Sequence, residues 1–170
     1  VVGDEGTISA GEAAEVEFEN TYAASGVLDG KTGLAGTKAL DGRAWRSEDK
    51  FAFVLAAEDD APMPEGAQDG VAVMYVTAPE GTPEGTEIPF NFGDITYTRP
   101  GTYAYTITEV GADSGYDVGI LGGVTASKAR YRVTVEVTDE KHDGELTVVS
   151  TMKKMTGDAG VAVGENDHGE

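Results

Sequence analysis

Apolar and polar residues alternate with period two along most of this chain, the signature of strands whose successive side chains point to opposite faces. The clearest run follows Pro100-Gly101: Tyr103, Tyr105, Ile107 and Glu109 share one face, while Thr102, Ala104, Thr106 and Thr108 share the other. Thr, Tyr and Ile are strand formers, and Pro-Gly is a turn signal. The same reading predicts a strand over residues 16–22, with Val16, Phe18, Asn20 and Tyr22 on one face and Glu17, Glu19 and Thr21 on the other. Further strands are expected from about Leu34 to Leu40, over Phe51–Leu55 and over Val71–Val76. Ile88, Phe90 and Phe92 alternate, and Ile95 and Tyr97 resume the pattern after a bend or bulge at Gly93-Asp94. Ala129, Tyr131, Val133, Val135 and Val137 form the apolar face of the longest two-faced run, and Asp143-Gly144 turns the chain into a strand from Leu146 to Thr151. No segment has convincing helical periodicity. Strands at this spacing predict an all-β protein, with a sandwich favoured.

Between the strands lie turn-rich connections. Residues 1–14 read as a loop or hairpin remnant, 23–33 as a linker, and 58–70, 79–86 and 111–123 as exposed loops. The tail holds a brief Val161-Ala162-Val163 and then fades into polar residues. This divides the chain into an N-terminal strand and linker (1–32), a β-sandwich domain (33–165) and a tail (166–170).

Composition narrows the function. A chain of 170 residues is long enough for one full core, or for one domain with a strand borrowed from a neighbour. Its net charge of -19, without any Lys/Arg cluster, argues against nucleic-acid binding and for a well-hydrated acidic exterior. There is no Cys, so any covalent staple must be of another kind. No apolar run approaches a membrane span, and the chain reads as an excised fragment of something larger. His142 and His168 fall in a turn and in the tail, and no Ser/His/Asp arrangement can be argued, so turnover catalysis is the weakest reading. Glu58-Asp59-Asp60 and Asp139-Glu140 lack EF-hand spacing and read as solvated loops. Neither metal nor cofactor is expected.

Three polar residues nevertheless interrupt apolar faces: Asn20, Lys38 and Glu109. Lys50, Asn91, Lys128 and Glu136 are controls, because alternation turns each of them outward. Taken singly, each of the three has an ordinary explanation. Lys38 snorkels from a strand end, Asn20 bonds a loop backbone, and Glu109 sits at the sandwich rim. Together they are costly, since a buried polar group without a partner loses about 1–3 kcal/mol. They also suit one reaction. Burial favours a neutral amine and a protonated carboxyl. Such an amine attacks a side-chain carboxamide, and the acid polarises the carbonyl and relays protons to departing ammonia. The resulting amide removes buried charge and ties two strands together, as a disulfide would.

Several words of the sequence carry a family resemblance in their order along the chain. They are Gly36-Thr37-Lys38-Ala39-Leu40-Asp41-Gly42-Arg43, Phe51-Ala52-Phe53, Phe92-Gly93-Asp94-Ile95-Thr96-Tyr97, the run from Pro100 to Glu109, and Tyr131-Arg132-Val133-Thr134-Val135. Over roughly residues 34–152 the chain resembles the pilin isopeptide-linkage domain, major-pilin type, of Gram-positive surface proteins. The resemblance implies an Ig-like β-sandwich, often in tandem, with an autocatalytic intramolecular Lys–Asn isopeptide bond promoted by Glu. It assigns Lys38 as the amine and Glu109 as the promoter. It also implies an extracellular location, in the cell wall or a pilus, with neighbouring repeats as partners.

The sequence departs from the family at the asparagine. The family's Phe-x-Asn-x-Tyr word stands on the last strand, whereas here Phe18-Glu19-Asn20-Thr21-Tyr22 precedes Lys38. The segment therefore either folds back into the last-strand slot of its own chain or fills that slot in another copy, giving a swapped dimer or a fibre. Asn166 is the weaker alternative, since its Gly-Glu-Asn-Asp surroundings do not alternate. The rival function is a ligand-binding adhesin sandwich without a crosslink, presenting ligands from its loops.

Overall fold

The computed structural model describes residues 16–119 and 122–163. Strands form at most of the positions where alternation predicts them. They are β1 (Gly26–Leu28), β2 (Ala35–Lys38), β3 (Phe51–Ala57), β4 (Val71–Val76), β5 (Ile88–Asn91), β6 (Ile95–Tyr97), β7 (Gly101–Val110), β8 (Arg130–Thr138) and β9 (Thr147–Thr156). A single helical turn, α1 (Gly30–Gly33), and a 3-10 turn at Ala112–Ser114 complete the described elements.

One layer is an antiparallel five-stranded sheet in the order β4-β3-β7-β8-β9. The facing layer is two antiparallel ribbons, β2 with β5 and β1 with β6. The result is the Ig-like β-sandwich expected from the sequence. Its core takes Phe51 and Leu55 from β3, Tyr105 and Ile107 from β7, and Val133, Val135 and Val137 from β8. Leu34, Phe92, Ile95 and Tyr97 close it from the other side. The bend at Gly93-Asp94 is real: Gly93 has a left-handed φ of 87°, and its N–H donates to the Asn91 side chain at 3.0 Å.

Two expectations need correction. Residues 16–22 form no strand. Val16, Phe18 and Tyr22 lie exposed, Phe18 at 86%, because alternation selects a face but supplies no partner edge. The 23–33 stretch, in turn, is more than a linker. It contains β1 and α1, and Leu28 is buried in the core. Asp29 caps α1 by accepting from the Lys31 N–H at 2.8 Å. The readings of residues 1–14 and of the tail from 164 onward lie outside the described residues.

Candidate functional site

Lys38 ends β2 and Glu109 is the penultimate residue of β7, in the opposite layer. Leu34 and Leu40 are buried, and Lys38 shares their face by alternation. Glu109 likewise follows Tyr105 and Ile107 inward. Both side chains therefore enter the gap between the layers, where they are 11% and 3% exposed. Nζ of Lys38 donates to Oε1 of Glu109 at 3.1 Å and to Oε2 at 3.0 Å. The same nitrogen lies 4.3 Å from the centroid of the Phe51 ring, whose π-face attracts it.

Burial dominates the electrostatics. It pushes the Glu109 carboxyl above the ordinary carboxylate range, outweighing the charge and hydrogen bond of Lys38 and a backbone bond from Ser127. Moving one proton along the 3.0 Å bond from Nζ to the carboxylate converts the ion pair into a neutral amine beside a neutral acid. The total proton count does not change in such a transfer. Lys38 and Glu109 thus stand in direct hydrogen-bond contact, with a carboxyl placed to exchange a proton with the amine.

The pair opens on a cleft of about 500 Å³, lined on one side by β2 and on the other by residues including Ile107, Tyr131 and Met152. One edge of β2 bonds β5, and its other edge has no strand partner among the described residues. That edge of β2, unpaired among the described residues, lies beside a partly apolar cleft.

The structure brings Lys38 and Glu109 together but does not bring Asn20 to them. Asn20 is exposed on the irregular 16–22 segment and lines no part of the cleft. Tyr22 fixes where that segment leaves the sandwich. Its hydroxyl donates to Asp139 at 3.0 Å and accepts from the Gly144 N–H at 3.1 Å, at the β8–β9 turn. The Ser25 N–H bonds the Gly144 carbonyl at 3.1 Å, and Ser25 bridges Glu145. Glu109 lies at the other end, since its neighbour Thr108 pairs with Arg130 at the start of β8. The nine residues of β8 separate the two ends by roughly 26–30 Å at about 3.3 Å per residue. Asn166 lies outside the described residues.

Sequence reasoning missed one buried charge. Asp49 is 1% exposed and is gripped by Arg43 through two bonds of 2.7 Å, and the Arg46 N–H adds a third at 2.8 Å. The guanidinium holds the Asp49 carboxyl below its usual range. This pair braces the loop carrying Trp45, which packs edge-on against Phe51 beneath Lys38. The available signal was an Arg and an Asp flanking the only Trp of the chain.

A sequence model of FctA, the Spy0128-like isopeptide containing domain, matches residues 34–166. The chain belongs to this family. The FctA match includes Lys38 and Glu109 and leaves Asn20 outside. A search of curated proteins finds no match. Among the described residues, no group of His, Cys, Asp and Glu side chains is arranged to hold a metal ion in this FctA domain. No helix among them is long and apolar enough to cross a membrane.

Proposed function

We propose that this FctA domain is a structural module of a bacterial surface or pilus protein, working outside the cell, in which Lys38 forms an isopeptide bond with an asparagine side chain and Glu109 promotes it. The observation that carries the reading is the buried Lys38–Glu109 pair at the mouth of the cleft beside β2. A permanently buried ion pair contributes little net stability, because desolvation of both charges offsets their attraction. Consumption of the pair by amide formation gives its placement a purpose.

Glu109 takes a proton from Nζ, and the amine attacks the carboxamide carbon. The protonated acid donates to the carbonyl oxygen as the tetrahedral centre forms; the carboxylate then takes the second proton from Nζ and passes it to the carboxamide nitrogen, and the oxygen's proton returns to Glu109 as the C–N bond breaks and ammonia leaves. Each molecule reacts once, so this is self-crosslinking and not turnover catalysis. In a chain with no Cys, such a bond does a disulfide's work of restricting the unfolded state.

Protease digestion and mass analysis of the assembled protein test the reading. A Lys38 peptide carrying a branched partner, lighter than the sum of its parts by one ammonia, is the expected product. Lys38→Ala and Glu109→Ala should both lack it. If Lys38 is recovered only as a free side chain from the wild-type protein, the reading is wrong.

A further inference from the structure

Resting on that reading, we propose that Asp158 and Ser127 are positioning residues for Glu109: the Asp158 carboxylate fixes the Ser127 hydroxyl, and the Ser127 N–H in turn fixes the Glu109 carboxyl in line with the Lys38 amine. Glu109 needs such a hold, because its long side chain turns freely about several bonds. On one side its backbone is paired with Phe53 of β3. On the other side the β7–β8 ladder stops one residue short of it, at Thr108 and Arg130. Residues 124–129 run on from there outside any strand, and the Ser127 backbone bonds the Glu109 carboxyl.

That irregular segment is held by the turn that follows β9. The Lys128 N–H donates to the Asp158 carbonyl at 2.9 Å, and the Thr156 hydroxyl donates to the Lys128 carbonyl at 3.0 Å. The Ser127 hydroxyl donates to Oδ1 of Asp158 and accepts the Ala129 N–H at 3.1 Å. Asp158 therefore grips two successive residues, one with its backbone and one with its side chain. Gly160, at a left-handed φ of 80°, folds the turn back, and its N–H reaches the Gly157 carbonyl at 2.8 Å.

Ser127, Asp158 and Glu109 line the same cleft, together with the charged side chains of Lys38 and Asp41. Lys154 stands behind Asp158, its Nζ 3.7 Å from Oδ2. The two carboxyls of the tether are pushed apart. The Ser127 hydroxyl holds Asp158 below its usual range, whereas burial raises Glu109. Asp158 is thus a fixed anionic anchor while Glu109 exchanges its proton, a division of roles set by environment. An N–H on the Glu109 carboxyl restricts its rotation and keeps both oxygens on the amine, at 3.1 and 3.0 Å. Proton exchange with Lys38 depends on that alignment.

Nuclear magnetic resonance on the full chain tests the proposal, following the Glu109 carboxyl through a pH titration and the amide at position 127 by hydrogen exchange. Ser127→Ala removes the hydroxyl and leaves every charge in place. It should speed exchange of that amide several-fold and raise the Glu109 titration, because a carboxylate that loses an N–H donor is harder to form. Ser127→Thr restores the hydroxyl and should return both readouts to the wild-type values. Asp158→Ala reaches the tether from its other end and should free the same amide, while Asp158→Asn, which keeps an acceptor, should hold it. Urea midpoints near that of the wild type show that the variants are folded. Peptide mapping of the same samples follows the branched Lys38 product, which should accumulate several-fold more slowly in Ser127→Ala and recover in Ser127→Thr. An unmoved Glu109 titration in Ser127→Ala, or an amide equally protected in Asp158→Ala, overturns the positioning role whether or not any product forms. A product that accumulates faster in Ser127→Ala overturns it as well. Free Lys38 in every sample, with the titration and exchange shifted as expected, overturns the proposed function and leaves the tether standing.

Discussion

Lys38 directs its single amine at both carboxylate oxygens of Glu109, 3.1 and 3.0 Å away, across the gap between two sheets. With 3% of its side chain exposed, Glu109 has little water to turn to if the amine is lost, and Lys38 at 11% has little more. Breaking one side of such a pair is worse than never having built it.

Glu109→Ala should therefore destabilise the uncrosslinked domain by about 3–5 kcal/mol, the usual cost of leaving a buried charge without its partner. The double variant Lys38→Met with Glu109→Leu should recover much of that loss, since apolar side chains of similar volume suit the same gap. Urea unfolding of the wild type, the single variant and the double variant checks both. A single variant as stable as the wild type would mean that the pair is not buried in solution.

Stability should depend on pH through two carboxyls of opposite sign. The Glu109 carboxyl is raised by burial, so its contribution is fully present below the unfolded carboxylate pKa and is lost as pH rises through its folded value. The Asp49 carboxyl is lowered by Arg43, so its contribution is present above the unfolded pKa and is lost as pH falls through its folded value. Glu109→Gln should flatten the loss on the rising side, and Asp49→Asn the loss on the acid side. Urea midpoints collected across the acid to neutral range on uncrosslinked protein separate the two. Unchanged limbs in the variants would contradict the assignment.

How much of this was legible beforehand follows from what alternation encodes. It reports which face of a strand is buried, and it placed Lys38 and Glu109 inward, the pair the structure joins at 3.0 Å. It gave Val71–Val76 with the bounds observed, and the alternation it resumed at Ile95 and Tyr97 falls on β6. Partners are another matter. Residues 16–22 alternate as well as any strand here, yet alternation is silent on whether a free edge lies within reach, and in the structure none pairs with them. The three-residue β1 and the one-turn α1 were too short to show a period. Asp49 lies in no alternating run, so its burial depends on the loop geometry that Arg43 and the Arg46 N–H create.

Gly30 should tolerate no side chain. A Cβ at this position would run into the backbone of Gly93, because α1 crosses directly over the β5–β6 bend. The Gly30 N–H is already committed to Asp94 at 2.8 Å, which prevents α1 from lifting away. Gly30→Ala should cost at least about 1–3 kcal/mol, the range for overpacking where neighbours cannot yield. The control is Gly66→Ala: nothing lies within 4 Å of its Cβ position, so its cost comes only from a positive φ of 87°. Equal losses in the two variants would argue against the close crossing.

Tyr22 decides whether the Asn20 segment starts from a fixed point. Its hydroxyl accepts the Gly144 N–H and donates to Asp139, and both contacts are exposed at the β8–β9 turn. Tyr22→Phe removes them while keeping the ring. The neighbouring bond from the Ser25 N–H to the Gly144 carbonyl remains and holds β1 in place. Hydrogen exchange at the Gly144 amide should therefore quicken several-fold, while the urea midpoint of the whole domain stays where it was. Such a pattern identifies a local tether, since a residue of the cooperative core would move the global transition too. If the midpoint falls together with Gly144 protection, the Tyr22 contact belongs to the folded core and is not a local tether.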